Sequence, residues 1–236
     1  QRKSVREGYL EHLLQLGGLS REEADAIVAR RRELLERELS ESQSGKPAPA
    51  PALRGVWTRF NGGPESEADE PPTAVARASL AQWLEAQARV PAGFHPHPKI
   101  KRLLQARQAM AQGKNPLDWA AAESLAFASL VCGGCRVRLS GQDTERGTFS
   151  QRHAVLHDYQ DGHPFTPLQH LAADQAPLEI LNSPLSEVGV LGFEYGYSLD
   201  YPDALVLWEA QFGDFVNMAQ PLLDQFIASA ADKWQR

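Results

Sequence analysis

Apolar positions recur at helical spacing through the opening forty residues, where Ala24, Ile27, Val28, Leu34, Leu35 and Leu39 fall on one face. Ser20 and Glu23 stand just ahead of that stripe in the Ser-x-x-Glu spacing of a capping box, so a helix is expected to begin there. The opposite face carries Arg30, Arg31, Arg32 and Glu33. A mixed-sign run of this kind reads as a solvated helix surface rather than a nucleic-acid patch.

The pattern then breaks, because nine of the sixteen prolines fall between Ser40 and Pro98. The tract Lys46-Pro-Ala-Pro-Ala-Pro51 favours extended polyproline-like geometry, and an acidic stretch runs from Glu65 to Glu70. One short helix is expected inside this strap, over Thr73 to Ala88, presenting Val75, Leu80, Trp83 and Leu84. Pro91, Pro96 and Pro98 close it.

From Lys99 onward helix and strand patterns alternate. Ile100, Leu103, Leu104 and Ala111 suit one helix, and Trp119, Ala122, Ala126 and Leu130 suit the apolar face of a second. Strands are expected over Val137–Ser140, Leu178–Leu181 and Ala204–Trp208. Ser186 can cap a helix running to about Leu199, and Asp214 can cap a last one through Phe215, Ala219, Leu222, Leu223, Phe226, Ile227 and Ala230. Such alternation predicts an α/β unit with a mostly parallel sheet flanked by helices. The expected organisation is a helical tail over 1–40, a Pro-rich linker over 41–98 and the start of an α/β domain over 99–236.

Composition narrows the function classes. Of 236 residues 42% are hydrophobic and 23% charged, and 24 Lys and Arg against 30 Asp and Glu leave a formal charge of −6, which argues against nucleic acid as a partner. The apolar runs are far shorter than the roughly 20 residues that cross a bilayer, and no basic-then-apolar leader stands at the start, so neither membrane nor export is expected. Two cysteines make no disulfide framework, which points to a reducing compartment: the cytoplasm, or the mitochondrial matrix in a eukaryote. Residue 1 is Gln, and the chain stops at the end of an amphipathic pattern, so a piece of something longer is expected.

Four stretches can carry chemistry. The segment from Arg138 to His157 follows a strand and holds Gln142, Asp143, Arg146, Arg152, His153 and His157, where α/β sheets bind ligands; the plainer reading is a polar surface loop with an Asp143–Arg146 ion pair. Asn182-Ser-Pro-Leu-Ser-Glu-Val-Gly189 sets Glu187 in the first turn of a helix, where a carboxylate commonly offsets the helix dipole. Trp208-Glu-Ala-Gln-Phe-Gly-Asp-Phe215 puts Phe212 and Phe215 on a turn, as a clamp for a flat ring or as core. Cys132-Gly-Gly-Cys135 has redox or zinc spacing but no second half. No Gly-x-Gly-x-x-Gly, P-loop or Gly-x-Ser-x-Gly occurs.

Together, the blocks Arg138–Asp158, Asn182–Tyr197 and Ala204–Phe215 closely resemble the decarboxylating, thiamine-diphosphate-dependent component of the 2-oxoglutarate dehydrogenase complex. The resemblance runs from about Val90 to Arg236, extends to the opening helices, and weakens over 41–89. It implies a transketolase-like pyrimidine-binding domain, incomplete here. By its place in Ser-Pro-Leu-Ser-Glu, Glu187 matches the glutamate that shares a proton with the cofactor's aminopyrimidine ring. Phe212 and Phe215 match aromatics that pack on that ring, Gln142 a polar residue at its amino end, and Leu185 a contact just before the glutamate. With Glu187, His153 is a catalytic candidate, on the substrate or lipoyl side of the pocket, and Arg146 and Arg152 serve either substrate carboxylates or the loop.

The implied reaction is oxidative decarboxylation of 2-oxoglutarate in the tricarboxylic acid cycle, with transfer of succinyl to the lipoyl domain of dihydrolipoyl succinyltransferase by a homodimeric enzyme. The family's Gly-Asp-Gly motif and following Asn, which hold the diphosphate and Mg²⁺, are missing: Gly213-Asp214 is followed by Phe215, and no metal ligands are assigned in this chain. Residues 1–236 alone are therefore expected to be inactive. The alternatives are a noncatalytic interaction or regulatory remnant of the fold, or a paralogue specific for 2-oxoadipate.

Overall fold

The computed structural model describes residues 3–44, 55–60 and 72–230, apart from the side chain of Asp214. The expected polyproline tract and acidic stretch of the strap lie outside these residues, as does the end of the chain after residue 230. Contacts divide the chain into two compact units, Gln1–Ala52 and Leu53–Arg236.

The first unit holds two helices, α1 (Val5–Gln15) and α2 (Arg21–Gln43). Each starts at a reciprocal cap. Ser4 Oγ accepts from the Glu7 N–H at 3.2 Å while the Ser4 N–H donates to Glu7 at 2.9 Å, and Ser20 and Glu23 repeat the arrangement at 3.1 and 2.8 Å. The serine backbone N–H, and then its hydroxyl, hold both carboxyls below the ordinary glutamate value. The helical tail is thus two helices, the second starting at the expected Ser20 cap, and α1 stops before Gly17, whose φ of +67° lies in the left-handed region. The apolar stripe Ile27, Val28, Leu35 and Leu39 is exposed, and Ala24 is the buried residue of α2.

In the second unit three strands form a wholly parallel sheet in the order β4-β1-β5, with β1 Arg136–Gly141, β4 Leu178–Asn182 and β5 Ala204–Glu209. All three match the strands expected from the apolar runs. Leu139 sits level with Ile180 on one side and Leu207 on the other. Alternation along β1 sends Val137 and Leu139 to a core with Phe127, Ala128 and Val131 of α5 (Trp119–Cys132). The intervening Arg138 faces α6 (Glu187–Leu199). Each face of the sheet is thus covered by one helix. Between β1 and β4 runs a two-stranded antiparallel ribbon, β2 (Leu156–His157) and β3 (Pro164–Phe165), which no apolar pattern announced.

The helix expected in the strap is α3 (Arg77–Gln87), and it packs on the second unit, with Leu84 buried against Ala121 and Leu125 of α5. Helix α4 (Pro98–Ala111) buries Leu104 with Phe94 and Leu156. Two expectations are corrected. The buried face of α5 is Ala121, Ser124, Leu125, Ala128 and Val131, while Trp119 is 93% exposed and Ala122 and Ala126 also face outward. A helix apolar nearly all round has little periodicity with which to choose a face. The last helix is not continuous: 3₁₀ turns over Asp214–Ala219 pass into one α turn, Gln220–Leu222, and a π turn, Leu223–Ile227. Pro221 lacks the N–H that a regular ladder needs, and its ring would press on the carbonyl four residues back.

Candidate functional site

The site residues gather at the carboxyl ends of the three parallel strands, where this class of sheet opens toward ligands. Strand β1 ends at Gly141, and a side chain there could not be accommodated, since a Cβ would stand 2.4 Å from the Glu209 carbonyl oxygen. That close approach lets β5 run beside the turn that launches Gln142. Strand β4 ends at Asn182, whose Oδ1 accepts from the Glu145 N–H at 3.0 Å and so ties the loop after β1 to the loop before α6.

Glu187 is the first residue of α6. Ser186 occupies the cap position as expected but makes no side-chain cap bond, so the first turn of α6 is not closed by its own serine. Gln142 Nε2 donates to Glu187 Oε1 at 3.2 Å, joining two candidates 45 residues apart. Leu185, just before the helix, is half exposed. After β5 the chain turns sharply, with Phe212 at φ +59° and Gly213 at +75°. Phe212 and Phe215 lie edge-on with centroids 6.3 Å apart, Phe149 meets Phe212 at 5.5 Å, and all three rings are substantially exposed. They are accordingly not core residues of this chain.

His153 is held apart from this group. Its Nε2 lies 2.8 Å from Ser150 Oγ, and it lines a cavity of about 640 Å³ with His97, Lys99, Arg146, His157 and Asn182. Burial, together with the Arg107 and Arg146 charges, lowers its pKa against the opposing influence of Ser150 and Asp143. Among the described residues four other than glycine have positive φ, namely Asp143, Ser150, His153 and Phe212, and all lie in the loops at this edge of the sheet. Such backbone costs of order 1–3 kcal/mol each and persists where the surroundings hold it, typically at ligand-binding positions.

The two arginines of the loop separate. Arg146 pairs with Asp143, the expected surface ion pair. Arg152 is buried: its guanidinium donates to both oxygens of Glu123 on α5 at 2.8 Å and to the Thr144 carbonyl at 2.9 Å, and pairs with Glu209 of β5 at 2.6 Å. Its own carbonyl accepts from Arg107 on α4 at 2.6 Å. Burial alone would lower its pKa, but the bonds to Glu123 and Glu209 outweigh this and raise it. Arg152 is therefore a pin for the loop rather than a free cation. Glu123 and Glu209, which position it, were missed from sequence; a carboxylate closing the apolar run Ala204–Glu209 was the available signal.

The donor set suits an aminopyrimidine: a carboxyl able to share a proton with a ring nitrogen, an amide beside it, and exposed aromatic rings to pack on a flat face. It does not suit a divalent cation. Among the described residues, one group of possible metal ligands is close-set, Asp158, Asp161 and His163, on the β2–β3 ribbon. There Asp158 is already committed, accepting from the N–H groups of His95 at 2.5 Å and Gln160 at 2.7 Å. Cys132 and Cys135 are free thiols, and burial raises the pKa of Cys132. No helix among the described residues is long and apolar enough to cross a membrane.

Comparison with known proteins agrees with this geometry. A family model described as the transketolase pyrimidine-binding domain matches residues 115–236. The 2-oxoglutarate dehydrogenase E1 component of Brucella anthropi is 48% identical over 231 residues, and that of Brucella ovis 47% over the same length. Each alignment covers 97% of this chain but only 23% of the relative, so the chain spans about a quarter of the length of the proteins it matches. With a parallel sheet flanked by helices and a family match over half its length, this chain belongs to the transketolase pyrimidine-binding domain family.

Proposed function

We propose that this chain supplies the pyrimidine-holding half of a thiamine-diphosphate site in a 2-oxoacid dehydrogenase that oxidatively decarboxylates 2-oxoglutarate. The observation that carries this reading is the Gln142–Glu187 hydrogen bond at the strand ends, beside the exposed pair Phe212 and Phe215. In this account residues 99–236 begin the pyrimidine-binding domain. The cofactor, when bound, supplies an electron sink for the pair released with carbon dioxide.

The residues of the chain then have distinct tasks. Glu187 would hold a proton against the pyrimidine ring nitrogen of the bound cofactor and exchange it, as a carboxyl within hydrogen-bond reach of a ring nitrogen can. Gln142 fixes the carboxyl's orientation through its 3.2 Å bond. Phe212, Phe215 and Leu185 pack the ring, a stacking contribution of about 0.5–1.5 kcal/mol per aromatic pair beyond area. His153, whose pKa is lowered by burial and by the Arg107 and Arg146 charges, faces the substrate or lipoyl side. The diphosphate, Mg²⁺ and their ligands belong to a part of the enzyme beyond this chain. So do the homodimer partner and the lipoyl domain of dihydrolipoyl succinyltransferase that receives the succinyl group, in the cytoplasm or, in a eukaryote, the mitochondrial matrix.

The test is reduction of an artificial acceptor by the full-length protein, supplied with thiamine diphosphate, Mg²⁺ and either 2-oxoglutarate or 2-oxoadipate. Turnover of 2-oxoglutarate is expected, with loss of at least about a hundredfold in Glu187→Gln. Residues 1–236 alone should give none, and turnover by them would overturn the division of the site.

A further inference from the structure

We propose that Arg138, clamped on Glu194, is a positioning residue for Glu187: the pair sets the roll of α6 and with it the aim of the carboxyl seven residues earlier. This inference rests on the reading of Glu187 just given.

Helix α6 is a poor candidate for holding its own position. Gly189, Gly192 and Gly196 remove side chains from three of its thirteen residues, and glycine weakens a helix interior. Ser186 gives no side-chain cap bond, and Leu185 and Val188 at its start are exposed. Three residues are buried: Val190, Leu191 and Glu194. Val190 and Leu191 hold it by apolar burial, and the turns after β5 add Leu222 beside Gly192 and Phe226 against the Tyr195 ring at 6.0 Å, but apolar contact is non-directional and tolerates a roll.

The third contact is directional. Arg138 Nε donates to Glu194 Oε2 at 2.8 Å and its NH2 nitrogen donates to Oε1 at 3.0 Å, the two-pronged fit of guanidinium on carboxylate. Both side chains are nearly closed off, at 11% and 4% exposure. The guanidinium also lies over the Tyr197 and Phe193 rings, 4.9 and 5.4 Å from their centroids, and 3.5 Å from Glu179 on β4. One residue in the middle strand thereby grips Phe193, Glu194 and Tyr197 on one side of the helix and the neighbouring strand.

Seven residues are nearly two turns, so Glu187 and Glu194 share a face and a roll at one is a roll at the other. With side chains reaching about 6 Å from the helix axis, a 20° roll displaces a carboxyl by about 2 Å. A displacement of about 1 Å can cost a hundredfold in rate. Gln142, which bonds to Glu187 at 3.2 Å, lies four residues after Arg138, so β1 and the turn that follows it carry both the clamp and the carboxyl's partner.

The test uses the full-length protein and three variants: Glu194→Gln, which keeps shape and one acceptor; Arg138→Lys, which keeps the charge but not the fork; and Glu187→Gln as reference. The readout is exchange of the thiazolium C2 proton of bound thiamine diphosphate for deuterium, followed by NMR after acid quench, beside kcat and KM for 2-oxoglutarate. Glu194→Gln and Arg138→Lys should slow exchange and kcat together by about tenfold or more with KM changed less than about twofold, since binding surfaces are untouched. Wild-type exchange in both overturns the positioning role, however much either variant loses in thermal stability. If Glu194→Gln does not fold, Arg138→Lys, which leaves the buried carboxylate compensated, decides alone. If Glu187→Gln itself exchanges at the wild-type rate, it is the cofactor reading that fails, and the clamp fails with it.

Discussion

On the α5 side of the sheet, Val137 and Leu139 meet Phe127, Ala128 and Val131 in a wholly apolar layer, whereas on the α6 side the neighbouring Arg138 meets Glu194 and two aromatic rings. One strand thus presents oil to one helix and a charged fork to the other. Apolar burial stabilises in proportion to area and is indifferent to small rotations. A buried ion pair is a weak stabiliser but a strict one, because it tolerates little change in geometry. The helix without site residues is held by the first means. The helix that begins with Glu187 adds the second to its apolar contacts through Val190 and Leu191.

The comparison breaks most easily on the apolar side. Leu139→Ala removes a fully buried side chain from the layer and should cost about 2–5 kcal/mol in urea unfolding. If it costs less than the double replacement Arg138→Met with Glu194→Leu, which removes both buried charges together, the division of labour between the faces is wrong. Away from both faces, polar anchoring should affect stability alone. Burial raises the Asp158 carboxyl, but the His95, Gln160 and Asp161 N–H groups and the His95 ring outweigh it and hold it at about 2, below the ordinary 3.8. Because the folded value is the lower one, its contribution is present above about pH 4 and is lost as pH falls toward 2. Asp158→Asn should abolish that part of the acid transition, measured by circular dichroism against pH, while leaving the deuterium exchange of the cofactor unchanged. The smallest effect is expected at the surface, where Arg32 and Glu36 pair at 3.1 Å in full exposure. Arg32→Ala should change the free energy of urea unfolding by no more than about 0.5 kcal/mol.

Much of this arrangement was legible in the chain. The strands were, because Leu178–Leu181 and Ala204–Trp208 are short apolar runs followed by helix starts, and Ser186 marked the start of α6 correctly. The capping box at Ser20 was equally plain. The buried face of α5 was not, because alanines surround the helix and hide its phase. The interruption near Pro221 could have been read from the proline itself; hydrophobic spacing at 219, 222, 223 and 226 masked it. At the site, residue types and family blocks pointed to Gln142, Glu187, Phe212 and Phe215 singly. That Gln142 reaches Glu187, that Arg152 is a buried pin and that Arg138 grips α6 depend on contacts 45, 29 and 56 residues apart, which local pattern does not encode.

On the function proposed above, the carboxyl of Glu187 handles a proton for a bound cofactor rather than merely offsetting the helix dipole. The most direct measurement is kcat for 2-oxoglutarate in the full-length Glu187→Gln protein, with its thermal midpoint determined alongside. The account predicts a fall of about a hundredfold or more with the midpoint little changed, since the amide keeps the side chain's shape and its contact with Gln142. Wild-type turnover in that variant would contradict it.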